Sequence, residues 1–295
     1  MTRVKSALGI LVSLFIAVLI LMAGSQGSDL FGGYSLFALC GAIGFALHWA
    51  VFVPSYAFKT EHYFDLTGSL SYIVTVTAAV FLNPSLDLRD LIICAMITVW
   101  ALRLGSFLFW RIKKDGQDKR FIVMKTKFTW FLMTWTIGGL WVLVTMAAGL
   151  AALTSSTTAE LGMISYLGIA LWLFGFVVEV TADNQKTAFR ANPDNRDRFI
   201  TTGVWSWSQH PNYFGEITLW SGLALVALPV LSGWQLATLI SPVFVYFLLT
   251  RVSGIPLLDR LAKQKWGSDS DYLSYTKATS KLLLLPPKNV VIPAD

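Results

Sequence analysis

Eight stretches of the chain are apolar over close to 20 residues each, and short polar segments separate them. A transmembrane α-helix needs about 20 consecutive apolar residues, so each stretch predicts a membrane-spanning helix. The chain is therefore predicted to be an all-α polytopic membrane bundle of seven or eight helices. The stretches are 7–23, 34–53, 66–82, 91–110, 128–150, 161–180, 214–230 and 234–249.

Composition agrees with this pattern, because hydrophobic residues make up 55% of the 295 positions and charged residues only 14%. No polar stretch is long enough to form a separate soluble domain, so we predict one membrane domain over 1–295. The first apolar stretch follows Arg3 and Lys5, as in a signal peptide. It lacks a clear small-x-small cleavage site and is long enough to span a bilayer, which favours a retained helix.

Basic residues cluster at the N-terminus, in 111–127, in 186–198 and after Arg251. With eight spans, all four clusters fall on one side of the membrane, which the positive-inside rule identifies as cytoplasmic. The opposite loops contain a single basic residue, Arg89. Both termini are thus predicted to be cytoplasmic. The net charge of +6 is explained by this bias and by ligand binding, without nucleic-acid binding.

Cysteine and histidine give no sign of a metal centre. Cys40 and Cys94 each lie inside an apolar stretch, and His48, His62 and His210 are scattered. This pattern argues against a histidine-box di-iron enzyme, so no metal site is predicted. The chain also lacks a Walker loop and a GxGxxG motif after a strand, which excludes a Rossmann-type nucleotide site.

The segment 183–216 is polar and basic in an otherwise apolar chain. Its basic residues could bind phosphates, and its asparagines could bind an amide, a ribose or a purine. Contact with anionic lipid headgroups is the alternative for the basic residues alone. The basic residues are Lys186, Arg190, Arg196, Arg198 and His210, and the asparagines are Asn184, Asn192, Asn195 and Asn212.

Two acidic residues extend this polar segment into the helices. Glu216 lies a few residues inside the seventh stretch and Glu179 lies near the end of the sixth. An acid at that depth is costly unless it has a partner or faces a wet cavity. Glu216 could instead be a helix N-terminal acid that the macrodipole favours. Together the two acids suggest one polar cavity.

Three blocks in this half carry a resemblance to a known family. They read NQKxxFRxNPxD at 184–194, HPNYFGE at 210–216 and KWGSDSDYLSY at 265–275. Their order and spacing resemble the cofactor half of the membrane steroid 5α-reductases and the related sterol C14 and C7 reductases. The first half adds FDLTGSLSY at 64–72 and WALRLGSFLFWR at 100–111. The chain as a whole is most similar to the bacterial branch of the steroid 5α-reductase family.

The resemblance implies NADPH-dependent reduction of the Δ4 double bond of a 3-oxo steroid or a related lipid enone. It implies substrate-side helices in 1–127 and a cofactor-binding half in 128–295. It also implies a bacterial inner-membrane protein whose substrate enters from the lipid and whose cofactor site faces the cytoplasm. The candidate cofactor-binding residues are Asp183, Lys186, Arg190, Arg198, His210, Asn212, Tyr213 and Glu216, with Asp259 from the tail and Arg103 and Arg111 from the fourth helix.

The substrate end departs from the family pattern. Phe64 and Asp65 stand where animal enzymes have a Gln-Glu pair that polarises the 3-oxo group, and Trp100 falls near their Tyr. A protonated acid could stabilise the developing enolate. The candidate catalytic residues are Asp65, Glu61, Tyr63 and His62, although Glu61 and His62 could equally lie in a solvated loop. Arg103 needs Asp65 or a cofactor phosphate as partner, unless it snorkels.

Two other classes remain open. The isoprenylcysteine and phospholipid methyltransferases also have a helical bundle with an HPxYxG-type block, there used to hold S-adenosylmethionine, and HPNYFGE alone cannot separate them. The preceding NQKxxFR favours a phosphate-bearing cofactor, because a methyl donor without phosphates has little use for converging cations. A non-catalytic lipid- or sterol-binding scaffold would require the polar segment to be accidental.

Overall fold

The computed structural model describes residues 2–116, 118 and 121–288, without the side chain of Asp115. The basic residues Lys119 and Arg120 of the segment 111–127 lie outside the described residues. Helices dominate the described chain, and eight helical segments are long and apolar enough to cross a membrane. The prediction of an all-α polytopic membrane bundle is confirmed.

The helices follow the apolar stretches closely, and most extend beyond them by a few residues. They are α1 Arg3–Ser25, α2 Leu36–Ala57, α3 Phe64–Leu82, α4 Leu88–Asp115, α5 Phe128–Leu153, α6 Met163–Ala191, α7 Pro211–Ala227, α8 Ile240–Phe247, α9 Ile255–Trp266 and α10 Ser270–Ala278. Two short strands, β1 Leu30–Phe31 and β2 Tyr34–Ser35, pair antiparallel before α2. Gly32 and Gly33 join them with φ of +58° and +84°, values that side chains disfavour and that this tight turn requires.

The chain divides into two compact units. Unit 1 comprises 1–167 and 223–241, and unit 2 comprises 168–222 and 242–295. Unit 1 includes α5, and the predicted functional halves 1–127 and 128–295 stay a prediction. In unit 1, α5 packs against α1, α2, α3 and α4, and its second half is almost continuously buried.

Unit 2 is built on close packing between α6 and α7. A Cβ added to Gly215 would lie 2.6 Å from the carbonyl oxygen of Gly175, and one added to Gly222 would lie 2.5 Å from that of Gly168. Helices approach this closely only where both surfaces lack side chains. The glycines at a spacing of seven on each helix therefore hold the two backbones in contact.

Gly215→Ala is expected to destabilise the protein by about 1–3 kcal/mol, because the new methyl group meets helix backbone that cannot move aside. Gly68→Ala on α3 is the matched control, since a Cβ there has no described atom within 4 Å. We expect Gly68→Ala to be neutral or slightly stabilising, as alanine favours helix. Thermal unfolding of both variants in detergent measures the difference. Equal melting temperatures would contradict the close packing.

Candidate functional site

Unit 2 contains an open cavity of about 280 Å³, close to the smallest volumes of small-molecule sites. The end of α6, the segment 198–210, α9 and α10 form its wall. The residues that line it are Lys186, Phe189, Arg190, Arg198, Phe199, Ile200, Trp205, Gln209, His210, Leu258, Asp259, Leu261, Ala262, Lys265, Trp266, Tyr272 and Tyr275.

The wall of this cavity is strongly positive. Among the described residues that line it, four are cationic, namely Lys186, Arg190, Arg198 and Lys265, and Asp259 is the one acid. The Lys186 ammonium lies 4.5 Å from the centroid of the Trp205 ring, a cation–π contact. Three of these cations were predicted from the polar segment, and the structure brings them to one cavity.

The segment after α6 folds back onto that helix through hydrogen bonds. Trp205 Nε1 donates to the carbonyl oxygen of Ala182 at 3.0 Å, and the Val204 backbone N–H donates to Gln185 Oε1 at 3.0 Å. Gly203 has φ of +63°, and a Cβ there would collide with the Gln185 amide. These contacts bury Trp205 and place it beside Lys186.

Hydrogen bonds join the C-terminal helices α9 and α10 to the segment that follows α6. Trp266 Nε1 donates to the Asp197 carbonyl oxygen at 2.7 Å, and the Tyr275 hydroxyl donates to the Trp205 carbonyl oxygen at 2.7 Å. The Phe199 ring packs edge-on against Tyr272, with centroids 5.2 Å apart. The aromatic wall is thus assembled from 199–205 and 266–275, two parts of the chain that are distant in sequence.

His210 is the buried polar side chain of this wall. Its Nε2 lies 3.7 Å from Asp259 Oδ1, which accepts a hydrogen bond from Lys281 Nζ at 2.5 Å. Burial, and next the positive charge of Lys281, lower the pKa of His210 to about 4, although Asp259 opposes this shift. Lys186 also lowers the pKa. The imidazole is therefore neutral at neutral pH.

This depressed pKa predicts a loss of stability in acid. The ordinary histidine pKa is 6.5, so His210 is protonated below pH 6.5 in the unfolded chain. In the folded protein it stays neutral down to about pH 4. Stability should fall across that window by up to about 1.4 kcal/mol per pH unit. His210→Asn should lessen the fall in melting temperature between pH 7 and pH 5, as measured in detergent. The exposed His62→Asn is the control and should keep the wild-type slope.

The remaining cofactor candidates of unit 2 lie along the α6–α7 pair rather than in the cavity wall. Asn212 Nδ2 donates to Asp183 Oδ1 at 3.3 Å, and Asp183 is buried. The Tyr213 ring stacks on His210, with centroids 5.6 Å apart and planes inclined by 10°. Glu216 is half-buried one turn after Asn212, and Glu179 is buried on α6.

Arg103 and Arg111 belong to unit 1, on α4. Arg111 is exposed and Arg103 is half-buried, with its guanidinium carbon 5.3 Å from the Phe107 ring centroid. Their assignment as cofactor-binding residues stays a prediction.

The structure separates the four catalytic candidates by environment. The solvated-loop alternative for Glu61 is wrong, because Glu61 is only 1% exposed. Its Oε2 accepts a hydrogen bond from Lys125 Nζ at 2.6 Å. His62 is exposed, and its Nε2 lies 2.9 Å from the Gly116 carbonyl oxygen. Tyr63 is exposed, and Asp65 is half-buried in the first turn of α3.

Several residues of the cavity wall were not recognised from the sequence. Phe199, Tyr272 and Tyr275 were unassigned, although Tyr272 and Tyr275 are three residues apart and thus share one face of α10. Their spacing, within the block 265–275 that carries the family resemblance, is the sequence signal that could have identified them as a shared surface. Gln209, which lines the cavity, and Lys281, which contacts Asp259 and Gln209, gave no such signal, because their contacts are long-range.

Comparison with known families places this chain. Residues 51–279, more than half of the chain, match the model of a family described as Protein of unknown function (DUF1295). The chain belongs to this family. The match shows this family, and a steroid 5α-reductase activity belongs to the proposal below.

One curated relative is named for a different reaction, methyl transfer. The chain is 29% identical over 137 residues to the probable O-methyltransferase ustE of Ustilaginoidea virens, covering 39% of this chain and 48% of the relative. The chain thus spans about half the length of the curated relative it matches. No solved structure matches the chain. The chain is thus similar over part of its length to a probable enzyme, and its eight apolar helices indicate a membrane protein.

Proposed function

We propose that this protein is an NADPH-dependent reductase of the Δ4 double bond of a 3-oxo steroid or a related lipid enone. The cationic cavity of unit 2 carries the proposal. Four cations among aromatic rings suit a nucleotide with several phosphates, since phosphate oxygens bind guanidinium and ammonium groups, and rings stack on a base. The resemblance of the three sequence blocks to the steroid 5α-reductases supports the same cofactor.

The residues of unit 2 fit this cofactor. Lys186, Arg190 and Arg198 would bind its phosphates, and Asn212 and Glu216 would hold the nicotinamide or its ribose. When bound, NADPH supplies a hydride for the β-carbon of the enone. The basic clusters support a site on the cytoplasmic side, by the positive-inside rule. The membrane we propose is a bacterial inner membrane, as the family resemblance implies. A lipid substrate would enter from the bilayer.

Asp65 is the proposed donor to the carbonyl oxygen. Negative charge builds on that oxygen as the enolate forms, and a hydrogen-bond donor there lowers the barrier. Asp65 is half-buried in the first turn of α3 and aligns with the Gln-Glu pair of the animal enzymes, which is why we propose it, with Tyr63 or His62 in support. Glu61 is a weaker candidate, because its carboxylate accepts a hydrogen bond from Lys125 Nζ and a carboxylate held by a lysine is a poor proton donor.

Asp65→Asn is expected to reduce turnover of a 3-oxo-Δ4 steroid by about 10²-fold, the ordinary scale of general-acid catalysis. NADPH affinity should be unchanged, because the proposed phosphate-binding residues belong to unit 2. Asp271→Asn, an exposed acid on α10, is the matched control for turnover. Unchanged turnover in Asp65→Asn would transfer the role to Tyr63 or His62.

Methyl transfer from S-adenosylmethionine is the second candidate, and the O-methyltransferase relative supports it. The charge of the cavity opposes it. S-adenosylmethionine has a sulfonium and an ammonium group against one carboxylate, so it is a net cation, and like charges in a site disfavour binding. Four cations with one acid are a poor environment for such a ligand.

The decisive experiment measures the melting temperature of the purified protein in detergent with NADPH, NADH or S-adenosylmethionine. A ligand at 100 times its Kd stabilises the folded state by about 2.7 kcal/mol, which raises the melting temperature measurably. We expect a rise with NADPH, and then NADPH oxidation that depends on an added 3-oxo-Δ4 steroid. A rise with S-adenosylmethionine alone would replace the reductase by the methyltransferase. No rise with any of the three would overturn both.

A further inference from the structure

The His210 imidazole is a buried polar group at the wall of the cavity. Among the described residues, Nε2 of His210 has no hydrogen-bond partner, although the residue is only 7% exposed. Buried polar atoms are normally paired, and an exception at a cavity wall points to a ligand. His210 lines the cationic cavity of unit 2.

The Asp259 carboxylate is too far from Nε2 to complete this bond. Asp259 Oδ1 lies 3.7 Å from Nε2, beyond hydrogen-bond distance, and it already accepts from Lys281 Nζ. The imidazole cannot easily swing towards it. Stacking on Tyr213 holds the ring, and the His210 backbone N–H donates to Ser208 Oγ at 3.1 Å.

The gap between these two atoms selects for a hydroxyl group. A hydroxyl can accept from an Nε2–H and donate to a carboxylate, and a vicinal diol can satisfy either tautomer of the ring. A phosphate oxygen cannot donate to Asp259. An ammonium group is disfavoured by the neighbouring Lys186 and Lys281, whose charges also depress the pKa of His210.

We propose that His210 Nε2 and Asp259 Oδ1 together bind a ribose hydroxyl of the nucleotide that occupies this cavity. The inference rests on the proposed function, because it requires a nucleotide there. It also explains an acid in a phosphate-binding wall: Lys281 offsets the charge of Asp259, so the carboxylate can accept a hydroxyl without repelling the phosphates. Both candidate ligands, NADPH and S-adenosylmethionine, contain ribose.

The test is a cycle of protein variants and ligand analogues. NADPH offers a 3′-hydroxyl on its adenosine ribose and a diol on its nicotinamide ribose, so three deoxy analogues remove one hydroxyl each. In the wild-type protein, one analogue should bind about tenfold more weakly than NADPH. In His210→Phe, which keeps a ring against Tyr213, that difference should disappear.

Two further variants complete the design. Asp259→Asn should also remove most of the difference, and it replaces His210→Phe if that variant does not fold. Arg260→Gln alters an exposed neighbour of Asp259 that does not line the cavity, so the full tenfold difference should remain.

The outcomes separate this inference from the proposed function. The hydroxyl site is overturned if all three deoxy analogues bind the wild-type protein as tightly as NADPH does. It is also overturned if the weaker binding of one analogue persists in His210→Phe. In both cases NADPH binding itself stands. A fourth analogue, NADPH without its adenine amino group, tests base recognition, and a loss of affinity confined to that analogue overturns the hydroxyl site. If S-adenosylmethionine binds and NADPH does not, the same cycle with its deoxyribose analogues decides the inference. If no nucleotide binds, both proposals fall.

Discussion

Replacing Arg190 and Arg198 together by glutamine is expected to weaken NADPH binding roughly 100-fold or more. Both residues line the cationic cavity from different segments, α6 and the loop that follows it. A hydrogen bond to a charged group contributes about 1.5–3 kcal/mol, and each 1.4 kcal/mol is a tenfold change in affinity. Titration of NADPH against the purified variant, by calorimetry or quenching of tryptophan fluorescence, measures the loss.

The chain offers a matched control for this pair. Arg196 is exposed, lies two residues before Arg198 and is absent from the described cavity wall. Arg196→Gln removes the same charge from the same loop, so it should change NADPH affinity only slightly. If the double variant and the control bind NADPH equally well, the cations serve the membrane surface and the cavity is not a phosphate site.

The single variants distinguish the phosphates. An arginine that binds the 2′-phosphate contributes to NADPH affinity and little to NADH affinity, whereas one that binds the pyrophosphate contributes to both. Arg190→Gln or Arg198→Gln should therefore lower the NADPH to NADH affinity ratio. An equal loss for both cofactors in both variants would refute the 2′-phosphate assignment and leave a pyrophosphate site.

The helices could be predicted because a membrane-spanning helix requires a simple sequence pattern. A spanning helix needs a long apolar run, and polar residues end it. At α4, for example, Asp87 and Asp90 form a capping box at the start, and Gly116 follows the helix with φ of +78°. Such caps also explain why several helices exceed their apolar stretches: polar residues form the end turns.

The eighth stretch shows where this reasoning fails. The prediction was one helix over 234–249, but the structure has a 3-10 segment Gly233–Leu239, then α8, then a π-helical turn Leu248–Val252. Pro242 lies in the first turn of α8, a position where its missing N–H removes no helical bond. Hydropathy counts apolar residues and cannot register these changes of helical pitch.

The cavity wall could be predicted only in part. Lys186 and Arg190 are four residues apart on one helix, so their shared face follows from periodicity. The contact between Phe199 and Tyr272 depends on the tail folding over the loop, which the Trp266 to Asp197 bond fixes. Glu61 illustrates the same limit, since its partner Lys125 is 64 residues away and no local pattern reports the pair.

Arg89 was the exception to the predicted charge asymmetry, and the structure explains it. The residue is 1% exposed, so it is not a loop charge. Its Nη1 donates to Ser165 Oγ at 2.8 Å and to the Val226 carbonyl oxygen at 2.5 Å. Its Nη2 donates to the Ala159 and Glu160 carbonyl oxygens, at 3.1 and 2.8 Å. One guanidinium thus joins α4, the loop before α6, and the end of α7.

The position of Val226 makes this contact strong. It is the next-to-last residue of α7, where helix carbonyls lack intrahelical partners and carry partial negative charge. A cation there satisfies the carbonyl and interacts favourably with the helix dipole. The planar guanidinium reaches four acceptors at once, which the single ammonium of lysine cannot reproduce.

Arg89→Met is expected to destabilise the protein by about 3–5 kcal/mol, because it strands buried carbonyl oxygens without donors. The measurement is the melting temperature in detergent, with the yield of folded protein as a second readout. Arg89→Lys should lie between the wild type and Arg89→Met, since it keeps the charge and part of the hydrogen bonding.

Lys114→Met is the control, because it removes an exposed cation from the same helix and should leave the melting temperature nearly unchanged. Equal stability of Arg89→Met and Lys114→Met would mean that water or neighbouring donors replace the guanidinium. The guanidinium would then not be the group that holds α4 to the loop before α6 and to the end of α7.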